Sequence, residues 1–116
     1  MKSKNSEVIL ENLDEFQSNV LVEIVEYEPG KIVWKTVIKK YGGKLSFAAF
    51  SEGEKFCETT AEYDIYVQVI DGQAQVTIGD KDWDIKLGEG MIIPVNTVHC
   101  FKANSKFKMI CTVVRI

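Results

Sequence analysis

The chemistry this chain can offer converges on a single imidazole. His99 is the only histidine among 116 residues, and it closes the stretch Gly88-Glu89-Gly90-Met91-Ile92-Ile93-Pro94-Val95-Asn96-Thr97-Val98-His99. An imidazole can ligate a metal, or give and take a proton near neutral pH; its plainer use is a hydrogen-bonded side chain inside the fold. The three cysteines, Cys57, Cys100 and Cys111, are odd in number and have no CxxC spacing. That argues against both a disulfide framework and a structural zinc site, and suits a reducing cytoplasm. Cys100 follows His99 directly, so on a strand the two side chains point to opposite faces and make a poor catalytic dyad. Cys111 lies in an apolar run and reads as core. Cys57 is the one thiol to watch, although no basic partner lies near it in sequence. The acidic run Glu52, Glu54, Glu58, Glu62 and Asp64 reads as a solvated loop, with no spacing that supports a glycosidase carboxylate pair.

These residues must be positioned by a small β-rich domain. The length fits one domain, and the 46% apolar content is ordinary for a globular core. A formal net charge of −3 gives no support for a nucleic-acid partner. Lys31, Lys35, Lys39, Lys40 and Lys44 form a basic stretch that reads as a solvated strand face or a lysine-guarded edge ahead of an anion site. No signal peptide is expected, and no run approaches the roughly 18 apolar residues of a membrane helix.

Residues 1–19 read as an N-terminal segment, partly disordered or a short helix. Ile9, Leu13 and Phe16 have helical spacing over residues 7–17, with Ser6 as N-cap. Residues 20–116 read as strand after strand: 20–27, 32–38, 45–50, 63–70, 73–78, 83–87, 91–94, 98–101 and 107–116. Turn signals about every 8–12 residues predict a sandwich or barrel. Asp71-Gly72 is a strong hairpin signal. Ile65, Val67 and Val69 share one face, with Tyr66 and Gln68 on the other. In the last strand Phe107, Met109, Cys111 and Val113 share one face, while Ile110, Val114 and Ile116 share the other. An edge strand apolar on both faces predicts a homodimer that covers it.

The stretch ending at His99 resembles the second motif of the cupin superfamily, whose pattern is Gly, five residues, Pro-x-Gly, two residues, His, three residues, Asn. Gly88, Pro94 and His99 match it. Asn96 stands where Gly is usual, a mild change because Asn tolerates left-handed backbone; Ala103 stands at the final Asn. The first motif, which supplies two histidines and a glutamate, is degraded. Counting back from its closing Gly72 without a gap puts Ile65 at the glutamate and Glu58 and Thr60 at the histidines. One extra residue, as a bulge would supply, puts Asp64 at the glutamate and Cys57 and Thr59 at the histidines. The apolar alternation favours the first register. Small single-domain cupins with a Tyr/Phe-Asp pair before this strand tilt the balance slightly to the second.

The resemblance implies an all-β double-stranded β-helix, a jelly-roll barrel with a ligand cavity at one end. His99, Asp64, Glu58, Tyr66 and Gln68 would be the polar contacts, and Trp83 and Phe101 candidate walls. The usual metal set of three imidazoles and a carboxylate cannot form from one histidine. A substitute set of His99, Asp64 (or Glu58) and Cys57 would take a divalent transition metal, with the thiolate favouring zinc or copper(I). The expectation is a cytoplasmic small-molecule-binding cupin, either with no cofactor or with such a metal. The alternatives are a metal-dependent oxygenase, isomerase or decarboxylase and a purely structural barrel.

Overall fold

A computed structural model describes residues 5–9, 13 and 15–115. Ten strands lie among the described residues: β1 (Asn5–Ile9), β2 (Ile32–Lys40), β3 (Gly43–Phe50), β4 (Lys55–Thr59), β5 (Tyr63–Asp71), β6 (Ala74–Ile78), β7 (Lys81–Ile85), β8 (Gly90–Ile93), β9 (Val98–Lys102) and β10 (Phe107–Arg115). They form a six-stranded sheet, β1-β2-β3-β10-β5-β8, and a four-stranded sheet, β4-β9-β6-β7. The pairings are antiparallel except for β1 beside β2, which is parallel. The architecture is the expected jelly-roll barrel.

Period-2 alternation sets the inside. Ile65, Val67 and Val69 of β5 are buried with Ala74 and Val76 of β6, Ile93 of β8 and Phe101 of β9. Tyr66 and Gln68 face outward, as the alternation predicts. At one end of the barrel Phe50 and Phe107 stack at 4.5 Å, and Phe101 meets Phe50 edge-on at 6.4 Å.

Several expectations are corrected. Asn5–Ile9 pairs as a strand with Ile32–Thr36, so the helix predicted over residues 7–17 does not begin there. Phe16 is fully exposed, with a left-handed φ of 62°; the rest of that predicted helix falls largely outside the described residues. Residues 20–27 are not a strand. They carry one 3-10 turn at Leu21–Glu23 and lie across the outer face of the large sheet. There Val25 is buried with Val33, Phe47, Ala49 and Ile110. Side chains fasten this segment: Lys108 Nζ donates to the Val22 carbonyl at 2.5 Å, and the Tyr27 hydroxyl donates to Asp71 at 2.6 Å. Burial, and then the bond to Asp71 and its charge, push the Tyr27 phenol well above its ordinary titration range.

The same cover changes the meaning of β10. That strand is central, between β3 and β5, and its outer apolar residue Ile110 packs under the chain's own residues 20–27. Val114, on the same outer face, stays 54% exposed beyond that cover, so residues 20–27 account for the outer apolar face only in part. Asp71-Gly72 is likewise not a hairpin, because β5 and β6 belong to different sheets. It is the corner between them. Gly72 has φ 71°, and a Cβ there would lie 2.3 Å from the Lys106 carbonyl oxygen, so only glycine fits.

Candidate functional site at the barrel mouth

The acidic stretch read as loop contains β4, an edge strand that pairs with β9 through Phe56↔Phe101, Cys57↔Cys100 and Glu58↔His99. Alternation along β4 turns Phe56 and Glu58 inward and Lys55, Cys57 and Thr59 outward. On β9 it turns His99 and Phe101 inward. His99 is fully buried, with its ring edge-on to Phe101 at 5.4 Å.

The geometry fixes the imidazole's proton. Nδ1 lies 3.2 Å from the Thr97 carbonyl oxygen, which can only accept, so Nδ1 carries hydrogen. Nε2 has no hydrogen-bond partner among the described residues and lies 3.5 Å from Glu58 Oε2. Glu58 and His99 form an inward-facing pair, with the half-buried Glu58 as its solvent-side member.

Glu58 lines a cavity of about 490 Å³ at the end of the barrel opposite the Phe50–Phe107 stack. Trp34, Phe56, Tyr63 and Cys111 form its walls, and Lys39, Lys40, Lys44 and Arg115 stand around it. Trp34 meets Phe56 edge-on at 5.3 Å. Burial raises the Tyr63 hydroxyl above its usual range, helped by the negative charges of Glu58 and Cys111 and opposed by Arg115. Burial also pushes the Cys111 thiol up to about 12, with Glu58 adding to the shift and Lys44 opposing it.

The other candidate residues lie elsewhere. Asp64, Tyr66 and Gln68 are on the outer face of β5, while Ile65 is buried between them. The ungapped register, with Glu58, Thr60 and Ile65 at the motif positions, is the one that faces the interior. Asp64 has a positioning part instead: its Oδ1 accepts the Val95 amide at 3.0 Å and steadies the loop before His99. Thr60 holds the same loop from within, donating to the Pro94 carbonyl at 2.6 Å and accepting the Thr97 amide at 2.8 Å. Asn96 has φ 58°, the left-handed backbone expected where the motif has glycine. Trp83 is exposed on β7, whereas Phe101 is core. Cys57 is disulfide-bonded to Cys100 on the outer side of the β4–β9 pair. This corrects the expectation of unpaired cysteines and removes the argument from cysteine count to a reducing compartment. Three lysines of the basic stretch, Lys39, Lys40 and Lys44, stand at the cavity mouth, with Lys39 and Lys40 exposed as a solvated strand face implies.

The donors do not fit a resident metal. His99 and Glu58 are the inward pair, Ile65 has no donor, the Thr60 hydroxyl is committed to its loop, and Cys57 is in the disulfide. No group of three His, Cys, Asp or Glu side chains suited to a metal occurs among the described residues.

No protein-family model and no curated protein matches the sequence. Solved structures do. A cupin superfamily protein from Desulfitobacterium hafniense superposes with a TM-score of 0.84 at 19% identity, covering 92% of this chain and 98% of that one. A cupin 2 conserved barrel domain protein from Leptotrichia buccalis gives a TM-score of 0.77 at 32% identity over 81% of this chain and 46% of its own length. The chain is a small cupin-type domain. A conserved protein of unknown function from Streptococcus pyogenes shares the fold of this cupin-type domain, with a TM-score of 0.84 at 19% identity over 100% of this chain and 96% of that one. No helix among the described residues of the cupin-type domain is long and apolar enough to cross a membrane.

Proposed function

We propose that this cupin-type domain binds a small molecule in the mouth of its barrel, against the Glu58–His99 pair, and that it does so without a resident metal. One observation carries the reading. A cavity of about 490 Å³ is walled by aromatic side chains, and its single acid among the described lining residues is backed by a buried imidazole. That size and lining are typical of small-ligand sites. The open cavity speaks against a purely structural barrel.

Two measurements test the reading. Metal analysis of protein purified without a His tag or chelator is expected to find no stoichiometric transition metal; one metal per chain, lost in His99→Ala, overturns the metal-free part and supports a metal-dependent enzyme. In a Trp83→Phe background Trp34 is the sole tryptophan and lines the cavity. A neutral aromatic probe, N-phenylnaphthylamine, should quench it saturably; no response removes the cavity as a binding site. A homodimer and a cytoplasmic location belong to the same proposal. Light scattering measures the first. The second requires that the fold tolerate Cys57 and Cys100 as thiols, which unfolding in the presence of reductant measures.

A further inference from the structure

Resting on the reading of the mouth as a small-molecule site, we infer that its ligand is an amphipathic organic anion, held with its acidic head among Lys39, Lys40, Lys44 and Arg115 and its apolar body inward against Trp34 and Phe56.

The charge distribution carries this. The chain as a whole is negative, with a formal net charge of −3, yet the described residues lining the cavity include four cations and one acid, Glu58. The excess is built into one hairpin. Lys39 and Lys44 sit directly opposite each other across β2 and β3, and Lys40 opposite Gly43 beside the turn. Like charges directly opposed on antiparallel strands destabilise the pairing, and no Asp or Glu occurs from Lys31 to Ser51 to relieve it. None of the three lysines is in an ion pair with a described residue. Arg115 pairs with Glu62 at 3.8 Å, but both are exposed, which leaves the guanidinium weakly held and able to turn to another anion. An arrangement that costs stability in the free protein is offset when an anion occupies the rim.

The acid in the cavity sets the ligand's orientation. Glu58 lies on the inner side beside the buried His99, and its negative charge raises the Tyr63 hydroxyl and the Cys111 thiol, while the cations stand at the hairpin tip and the C-terminal end of β10. A ligand's anionic head is repelled from the first and drawn to the second. The surface left for the rest of the molecule is aromatic: Trp34 and Phe56 meet edge-on at 5.3 Å, with Tyr63 also in the wall. A carboxylate, sulfonate or phosphate on a flat apolar body matches both halves. An inorganic anion alone would use only the rim.

The test compares two probes that differ by one charged group, anilinonaphthalene sulfonate and N-phenylnaphthylamine, with Trp34 as reporter in Trp83→Phe protein. At low salt the sulfonate should bind about 10-fold tighter than the neutral amine, and the difference should shrink toward nothing near about 0.5 M salt, where screening is strong. Lys40→Glu with Lys44→Glu should weaken the sulfonate about 10-fold and leave the amine within about 2-fold. The salt titration needs no variant and stands even where the double reversal fails to fold. Equal affinity for both probes at all salt concentrations, or tighter binding of the amine, overturns the anion inference and leaves the cavity as a binding site. Silence of Trp34 toward both overturns the inference together with the reading it rests on. Inorganic phosphate competing as well as the sulfonate binds would overturn the apolar half.

Discussion

The two ends of this barrel are built from the same strands and differ in what fills them. Along β3 and β10 the register runs from Phe50↔Phe107 at one end to Gly43↔Val114 at the other. The first end is closed by a stack of phenylalanines with no exposed surface. The second keeps its aromatics half-buried and surrounds them with lysines, Arg115 and the Glu58–His99 pair. Filling the first end gains burial energy. The second forgoes that gain over about 490 Å³ and holds like charges together. A fold that closes one end and leaves the other open and charged has separated the region that stabilises it from the region that recognises something.

The largest effect should come from breaking the closed end. Phe107→Ala removes a fully buried ring and leaves a cavity, at a cost of about 3–5 kcal/mol. Phe56→Ala, at the mouth, should cost about 1–2 kcal/mol, because its ring is only partly withdrawn from water. Urea unfolding of both variants measures the difference. Equal losses would mean that the mouth is packed core, and the separation of the two ends would fail.

The buried strand faces were legible in the sequence and the make-up of the mouth largely was not, for physical reasons that individual residues show. Ile65, Val67 and Val69 advertise their face by alternation, because burying one face of a strand requires it. Val20–Tyr27 is as rich in β-branched residues, yet it joins no ladder: Ile24, Val25 and Tyr27 pack on the outer sheet face while Val20, Leu21 and Val22 are exposed, because composition does not fix backbone pairing. β10 looked like an edge because nothing in its own sequence tells which segment will cover Ile110. Glu58 is reached by the ungapped motif count, but the strand that carries it is not, since a short edge strand with exposed alternate residues has the composition of a loop. The pairing of Cys57 with Cys100 depends on register across 43 residues of chain, and residue spacing carries no record of that. The lysines Lys39, Lys40 and Lys44 were visible, but their convergence with Arg115 needs the hairpin and the final strand placed side by side.

A second, somewhat smaller effect separates the ends through the disulfide. Cys57–Cys100 ties the edge strand β4 to β9 on the side away from Glu58 and His99, and it closes a loop with a sequence separation of 43. Cys57→Ser with Cys100→Ser should lower stability by roughly 2–4 kcal/mol through the freed unfolded chain. Hydrogen exchange should localise any partial opening to β4 and the mouth, while β10 at the Phe107 end stays protected. Faster exchange at both ends alike would show that the mouth is not an independently loosening unit.

The smallest effect concerns Cys111, which sits in the cavity wall yet belongs energetically to the packed side. It is 6% exposed, and burial, then the negative charge of Glu58, push its thiol from the ordinary 9.0 up to about 12, against the pull of Lys44. Because the folded thiol holds its proton more tightly than the unfolded one, its contribution to stability is intact below about pH 9 and is lost as pH rises toward about 12. In native protein near pH 8 a disulfide-exchange reagent should therefore find no reactive thiol, and under denaturing, non-reducing conditions it should find one per chain. Two further thiols should appear only on reduction, as the Cys57–Cys100 bond requires. Glu58→Gln removes the charge that assists the shift and should speed native labelling slightly, leaving burial in control. Rapid stoichiometric labelling of native Cys111 would place it on the open side of the comparison and extend the mouth deeper into the barrel.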